Sequence, residues 1–182
     1  MASILTHQYI AERWHVLEKG EAPAATTPGH WAIAGLARFV EDQGNQMGQI
    51  RIRLDDRDVP SLEASVVLAH KGELLELVGL LDQSLAGVGE LSRVPIVTVE
   101  LGTPPVAVAY STRSIFDDQA AALVFFLLHD AGEDGRRLFR QVLLGHCRAE
   151  TKATAWKELG FETSGALDEA FRAFLADLVD PK

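Results

Sequence analysis

Residues 120–128 form an unbroken apolar run, Ala-Ala-Ala-Leu-Val-Phe-Phe-Leu-Leu. Ser114, with Asp117 three residues later, matches a capping box, so a helix is predicted to start there and to continue through the run. A helix that is apolar on all sides has to be covered on all sides. The run is shorter than the roughly 20 residues needed to cross a bilayer. The sequence therefore predicts a central helix enclosed by other helices.

Helical periodicity of apolar residues recurs over most of the chain. In residues 166–179 the apolar positions would form one buried stripe, while the charged positions would face water. Gly145 is expected to end a helix predicted at 136–144. The other predicted helices cover residues 3–19, 31–43, 62–70, 73–83 and 152–159. With 182 residues, of which 47% are hydrophobic, the chain is predicted to be a single, mainly α domain spanning residues 1–182.

Strand patterns are few. Residues 49–55 alternate apolar and charged side chains, which is typical of a half-buried strand or an extended segment. Residues 94–101 and 106–110 are rich in β-branched side chains and flank Gly-Thr-Pro-Pro, which predicts a hairpin. The Gly-Val-Gly stretch at 87–89 predicts a loop. The fold is thus α+β at most, with one or two short strands or a hairpin.

Charge and cysteine usage exclude several classes of partner. The formal net charge is -9 and the chain has no basic stripe, so nucleic acid is not an expected ligand. Cys147 is the only cysteine, which excludes an intrachain disulfide and suits a reducing compartment. No basic segment followed by an apolar stretch opens the sequence, so we expect no signal peptide. A soluble cytoplasmic protein with a protein or peptide partner, and no membrane partner, is expected; its oligomeric state is left open.

Several segments carry a family resemblance. Residues 31–41, Trp-Ala-Ile-Ala-Gly-Leu-Ala-Arg-Phe-Val-Glu, resemble the W-x-x-E-G-x-A-x-F/Y-x-E motif of bacterial gluzincin-like domains of peptidase clan MA. Residues 118–128, 135–139 and 166–175 are similar to the later helices of those domains. The chain resembles the helical C-terminal portion of a gluzincin-type zinc metallopeptidase. The resemblance implies a zincin-like helical domain.

The resemblance also implies a zinc site, built from H-E-x-x-H on one helix and a Glu on the next. His7 could be the second histidine of this motif, and Ser3 and Ile4 would then replace the first His and the Glu. It could instead be the first histidine, and Gln8 and Ala11 would then replace the Glu and the second His. One histidine cannot hold a catalytic zinc ion, which needs three protein ligands. We therefore expect no bound cofactor and no catalytic residues.

In either register Ala34 stands where the family's third ligand, a Glu, would lie. The remnant of the cleft is expected to involve His7, Glu12, His30, Trp31 and Ala34. His30 is one helical turn before Ala34 and would point into the same cleft if the helix begins early. Trp31 is more readily interpreted as a core residue. The resulting hypothesis is a peptidase-like domain without its zinc site, with a non-catalytic binding or structural role.

Two other functions stay open. A zinc metallopeptidase or related hydrolase could use non-standard ligands, namely His7 and His30 with Glu12 or Glu41, with zinc as its cofactor. The chain could instead be an oligomerising helical scaffold, with an exposed remnant of the cleft as its interface. Cys147 could be a thiol nucleophile, but a free cysteine is more often simply buried.

Overall fold

A computed structural model describes residues 24–44, 59–147 and 161–178 of the chain. These residues are mainly helical, which confirms the predicted fold class. The helices are α1 His30–Gly44, α2 Pro60–Lys71, α3 Leu77–Leu81, α4 Leu85–Glu90, α5 Thr112–His129, α6 Gly132–Cys147 and α7 Ser164–Asp177, and the strands are β1 Pro95–Leu101 and β2 Val106–Ser111. The helices predicted at 3–19 and 152–159 and the strand predicted at 49–55 lie outside the described residues, as do His7 and Glu12.

The central helix is α5, as predicted. Every residue from Ala120 to Leu127 is buried, and α5 packs against α1, α2 and α6. Gly35 of α1 lies directly on α5, since a Cβ atom built there would come within 2.6 Å of the carbonyl carbon of Ala120. The absence of a side chain at Gly35 is therefore what lets the two helices approach so closely. Within the described ranges, no helix is long and apolar enough to cross a membrane.

The predicted start of α5 is wrong by one turn. The N-cap is Ser111, whose hydroxyl accepts from the Ser114 amide at 3.2 Å, while the Ser114 hydroxyl accepts from the Ser111 amide at 2.8 Å. Ser114 is thus the third residue of the helix, not its cap. Two serines spaced by three residues satisfy each other's backbone amides, so the helix begins at Thr112.

The predicted hairpin is confirmed. β1 and β2 pair antiparallel, with Thr98 opposite Ala109 and Leu101 opposite Val106. Val99 and Tyr110 on its inner face join a small core formed with α2 and the start of α5. The hairpin is therefore attached to the helices through one face.

Three local predictions are wrong for identifiable reasons. Residues 73–76 are not helical, because the amide of Leu75 is bonded to the side chain of Gln119 at 2.9 Å. Residues 85–90 are a short helix and not a loop, since Ser84 caps it through the amide of Gly87 at 3.1 Å. α6 continues past Gly145 to Cys147, and both residues that follow Gly145 are buried. In each case tertiary contacts or capping, and not the local residue pattern, determine where the helix begins or ends.

Candidate functional site

A polar cavity of about 550 Å³ lies between α1, β2, α4 and the first turns of α5. Helix α1 contributes residues one turn apart, because positions i, i+4 and i+7 of a helix share a face. The lining side chains are His30, Ala34, Ala37, Arg38 and Glu41 from α1, Leu85 from α4, Val108, Ala109 and Tyr110 from β2, and Arg113, Ser114, Asp117 and Asp118 from α5. The cavity size is within the range of about 300–1,000 Å³ that is typical of ligand pockets.

One wall of the cavity is a cluster of three hydrogen-bonded side chains from three elements. Arg38 Nε donates to Asp118 Oδ1 at 2.7 Å, and the Tyr110 hydroxyl donates to Asp118 Oδ2 at 2.8 Å. The Asp118 side chain is only 5% exposed, whereas that of Arg38 is 35% exposed. Both oxygens of Asp118 are thus occupied, and Arg38 is the member of the cluster that solvent or a ligand can reach.

Burial sets the ionisation of this cluster. Desolvation raises the pKa of Asp118, and the charge of Arg38 together with the Arg38 and Tyr110 hydrogen bonds opposes that rise. Desolvation also raises the pKa of Tyr110, and the neighbouring Asp118 charge raises it further. For Arg38, burial acts to lower the pKa, but the charge and hydrogen bond of Asp118, together with the charges of Asp42 and Glu41, outweigh it and the pKa is raised. Asp118 therefore serves as the buried anion that holds Arg38 and Tyr110.

A second ion pair, between Arg113 and Asp117, also lines the cavity. Arg113 Nε is 2.9 Å from Asp117 Oδ2, one turn along α5, and Arg113 Nη1 donates to the carbonyl of Val88 at 3.0 Å. The Arg113 backbone amide donates to the carbonyl of Ser92 at 3.0 Å. These bonds fasten the start of α5 to α4 and the segment after it.

The cavity lining carries one more carboxylate than guanidinium. Asp117 and Asp118 are paired with Arg113 and Arg38, respectively. Glu41 is exposed, and within the described part of the chain it has no ion-pair partner. Glu41 is therefore the lining carboxylate without a salt bridge among the described residues, although its charge acts on Arg38.

The residues expected in the cleft are only partly brought together. α1 begins at His30, and both His30 and Ala34 line the cavity. Trp31 does not, because one step along a helix turns the side chain by about 100°. It is fully buried, with its ring centroid 6.1 Å from that of Phe139. The ring centroid of His30 lies 5.9 Å from that of His146, a neighbour that the sequence analysis did not foresee.

Sequence reasoning missed most of the charged lining. Arg38 stands in the family-like segment 31–41 but is not among that motif's named positions. In the sequence, Asp117 indicates only a capping box and Asp118 only the start of the family-like segment 118–128. Tyr110 indicates only the end of a strand. The adjacent acids Asp117 and Asp118 at the start of an apolar helix could have indicated this cluster. On a helix that is covered on all sides, at least one of two adjacent side chains faces inward, and a buried carboxylate needs a partner.

No group of three or more His, Cys, Asp or Glu side chains that could hold a metal ion occurs among residues 24–44, 59–147 and 161–178. The alternative zinc site includes His7 and Glu12, which lie outside those ranges, so it stays a prediction. Cys147 is buried, and burial raises the pKa of its thiol. A buried thiol of raised pKa is a poor nucleophile, as expected for a packed cysteine.

No protein-family model, curated protein or solved structure matches this chain. The gluzincin resemblance therefore rests on residues 31–41 and the later helical segments alone.

Proposed function

We propose that this chain is a peptidase-like domain without a catalytic zinc site and that it binds a ligand in the cavity between α1, β2 and α5. The observation that carries the proposal is the place of Ala34. This residue stands where the gluzincin motif has a glutamate ligand, and its methyl group lines a charged cavity. A methyl group cannot coordinate a metal ion. A cytosolic location belongs to the same proposal, supported by the single cysteine, Cys147.

The state of the charged groups supports binding over catalysis. A carboxylic acid of raised pKa in a cavity is often a catalytic acid or base. Asp118 does not suit that role, because both of its oxygens already accept hydrogen bonds and its side chain is almost fully enclosed. Arg38 and Arg113 are each held by a carboxylate and present fixed N–H donors at the cavity. Fixed donors orient a ligand but do not transfer protons, since arginine stays protonated.

The first test is the metal and the reaction. Elemental analysis of the purified full chain should give far less than one zinc ion per molecule, and a casein digestion assay should show no hydrolysis. Stoichiometric zinc together with EDTA-sensitive peptide hydrolysis would overturn the proposal and support the alternative zinc hydrolase.

The second test is binding. In a saturation-transfer NMR experiment, peptides from a casein digest should receive magnetisation from the protein. Ala109→Trp should remove the signal, because Ala109 is exposed and lines the cavity that a large ring would fill. The matched control is Ala173→Trp, an exposed position of α7 that is outside the lining, and it should leave binding intact. Failure of the wild-type chain to bind any peptide would reject the binding role, and light scattering would then test the oligomerising scaffold.

A further inference from the structure

Building on the proposed function, we infer that the edge of β2 that faces away from β1 takes an extended peptide as a third strand, and that this peptide carries a basic side chain that lies beside Glu41. Strand addition supplies affinity through the main chain, and side-chain contacts supply specificity.

The edge of β1 that faces away from β2 is contacted by α2. Lys71 of α2 donates from Nζ to the carbonyl oxygen of Thr98 at 3.0 Å. At the tip of the hairpin, the amide of Gly102 donates to Glu63 of α2 at 2.7 Å. Helix α2 therefore contacts the backbone of β1 and of the hairpin tip, whereas no strand among the described residues pairs with the outer edge of β2, the edge that faces away from β1.

The Thr98 contact also fixes which backbone groups of β2 point outward. In an antiparallel pair, opposed residues either exchange both backbone hydrogen bonds or direct their N–H and C=O groups away from each other. The Thr98 carbonyl is directed at Lys71, so Thr98 and its partner Ala109 form a pair of the second kind. The pair Glu100–Ala107 lies two positions further along the strands, so its backbone N–H and C=O groups also point away from each other. Ala107 and Ala109 thus present donor and acceptor groups at the outer edge of β2.

That edge borders the cavity. Side chains alternate between the two faces of a strand, so a space lying against one face would meet every second residue. Here three consecutive residues, Val108, Ala109 and Tyr110, line the cavity, which places it along the edge of the strand. In the described part of the chain, β1 is the only strand neighbour of β2. Ala107 and Ala109 are both exposed, and an added strand would lie beside them at the usual spacing of about 4.8 Å.

The charge of the cavity lining favours a peptide with a basic side chain. The lining contains Glu41, Asp117 and Asp118 against Arg38 and Arg113, and the acid without an ion pair among the described residues is Glu41. The whole chain has a net charge of -9. A basic side chain on the added strand would complement Glu41, whereas an acidic one would add to the excess of carboxylates in the lining.

The test uses three short capped peptides of alternating valine and threonine, with one central position varied. The first has lysine at the centre, the second has glutamate, and the third repeats the lysine peptide with alternate backbone amides N-methylated to block strand pairing. By isothermal titration calorimetry against the full chain, N-methylation should weaken binding by about tenfold or more, because it removes main-chain hydrogen bonds. Hydrogen exchange at the amides of Ala107 and Ala109 should slow when the lysine peptide binds.

Two variants test the charge. Glu41→Gln should weaken the lysine peptide about threefold, as expected for an exposed ion pair, and should reduce the preference over the glutamate peptide. The control is Glu169→Gln on the exposed side of α7, which should change neither affinity.

The outcomes separate this inference from the proposed function. If casein peptides still bind in a manner blocked by Ala109→Trp, but the N-methylated and unmodified peptides bind equally, strand addition is wrong and the binding cavity stands. If no peptide binds, both fail. A dimer in light scattering that protects the same two amides without peptide would also overturn the inference, since a second copy would then occupy the edge.

Discussion

The guanidinium Nε of Arg38 donates to Asp118 Oδ1 at 2.7 Å, across the contact between α1 and α5. The other oxygen of the same carboxylate accepts from Tyr110 on β2 at 2.8 Å. One buried carboxylate therefore joins the two central helices to the hairpin. Because these three elements also enclose the cavity, the stability of the fold and the shape of the proposed site depend on the same side chain.

Asp118→Ala should lower the free energy of unfolding by about 2–3 kcal/mol, because Arg38 and Tyr110 each lose a hydrogen bond to a charged group. The partial exposure of Arg38 keeps the loss below that of a fully enclosed ion pair. Urea unfolding followed by circular dichroism measures the difference. The matched control is Asp168→Ala, which breaks an exposed pair with Arg172 and should cost within about 0.5 kcal/mol. Equal losses in the two variants would contradict a structural role for the Asp118 cluster.

Tyr110 should ionise only well above pH 10, because burial and the Asp118 charge both raise its pKa. A raised folded-state pKa means that the contribution of Tyr110 to stability is complete below its ordinary pKa of 10.0 and is lost as the pH rises through the folded-state value. The chain has two tyrosines, so an alkaline absorbance titration of the native protein should show a late component. Tyr110→Phe should remove that component and Tyr9→Phe should leave it. A late component that survives Tyr110→Phe would show that the assignment is wrong.

Gly35→Ala should destabilise the chain by about 1–3 kcal/mol, because overpacking forces α1 and α5 apart. The added Cβ would meet the Ala120 backbone and lie 3.0 Å from Val124. The control is Gly79→Ala in α3, where nothing lies within 4 Å of the new atom. That change should be neutral or stabilise by about 0.5–1 kcal/mol, since alanine is the better helix former. The midpoint of thermal unfolding should therefore fall for Gly35→Ala and should rise or stay unchanged for Gly79→Ala.

The sequence predicted the elements whose signal is local. The apolar run at 120–128 places α5 at the centre, and the β-branched segments around Gly102 give the hairpin. It did not predict the wall of the cavity, because Arg38 and Asp118 meet across 80 residues of sequence. A local pattern cannot report such a contact. The same reason explains the wrong helix boundary at residues 73–76, where the deciding partner, Gln119, lies 44 residues further along.

Gln119 acts on the segment before α3 as a neighbouring strand would. Its Oε1 accepts from the Leu75 amide at 2.9 Å, and its Nε2 donates to the Leu75 carbonyl at 3.0 Å. The side chain of Gln119 is fully buried, so a leucine there would fit by size but would leave both backbone groups of Leu75 without these partners. We expect Gln119→Leu to cost about 2–3 kcal/mol of stability, the range for leaving buried polar groups unsatisfied. Gln141→Leu, on the exposed side of α6, is the control and should be close to neutral.

Hydrogen exchange locates the effect of Gln119→Leu. The Leu75 amide should exchange faster in the variant, while the amides in the buried middle of α5 should keep their protection relative to global unfolding. The two sets of amides should respond differently because, among the described residues, the Gln119 side chain bonds only to Leu75. Helix α5 is stabilised by its own helical hydrogen bonds and by packing against α1, α2 and α6. If the Leu75 amide stays as protected as in the wild type, the extended conformation of residues 73–76 does not depend on Gln119. The non-helical conformation of residues 73–76 would then have to follow from Gly72, whose φ of 72° ends α2.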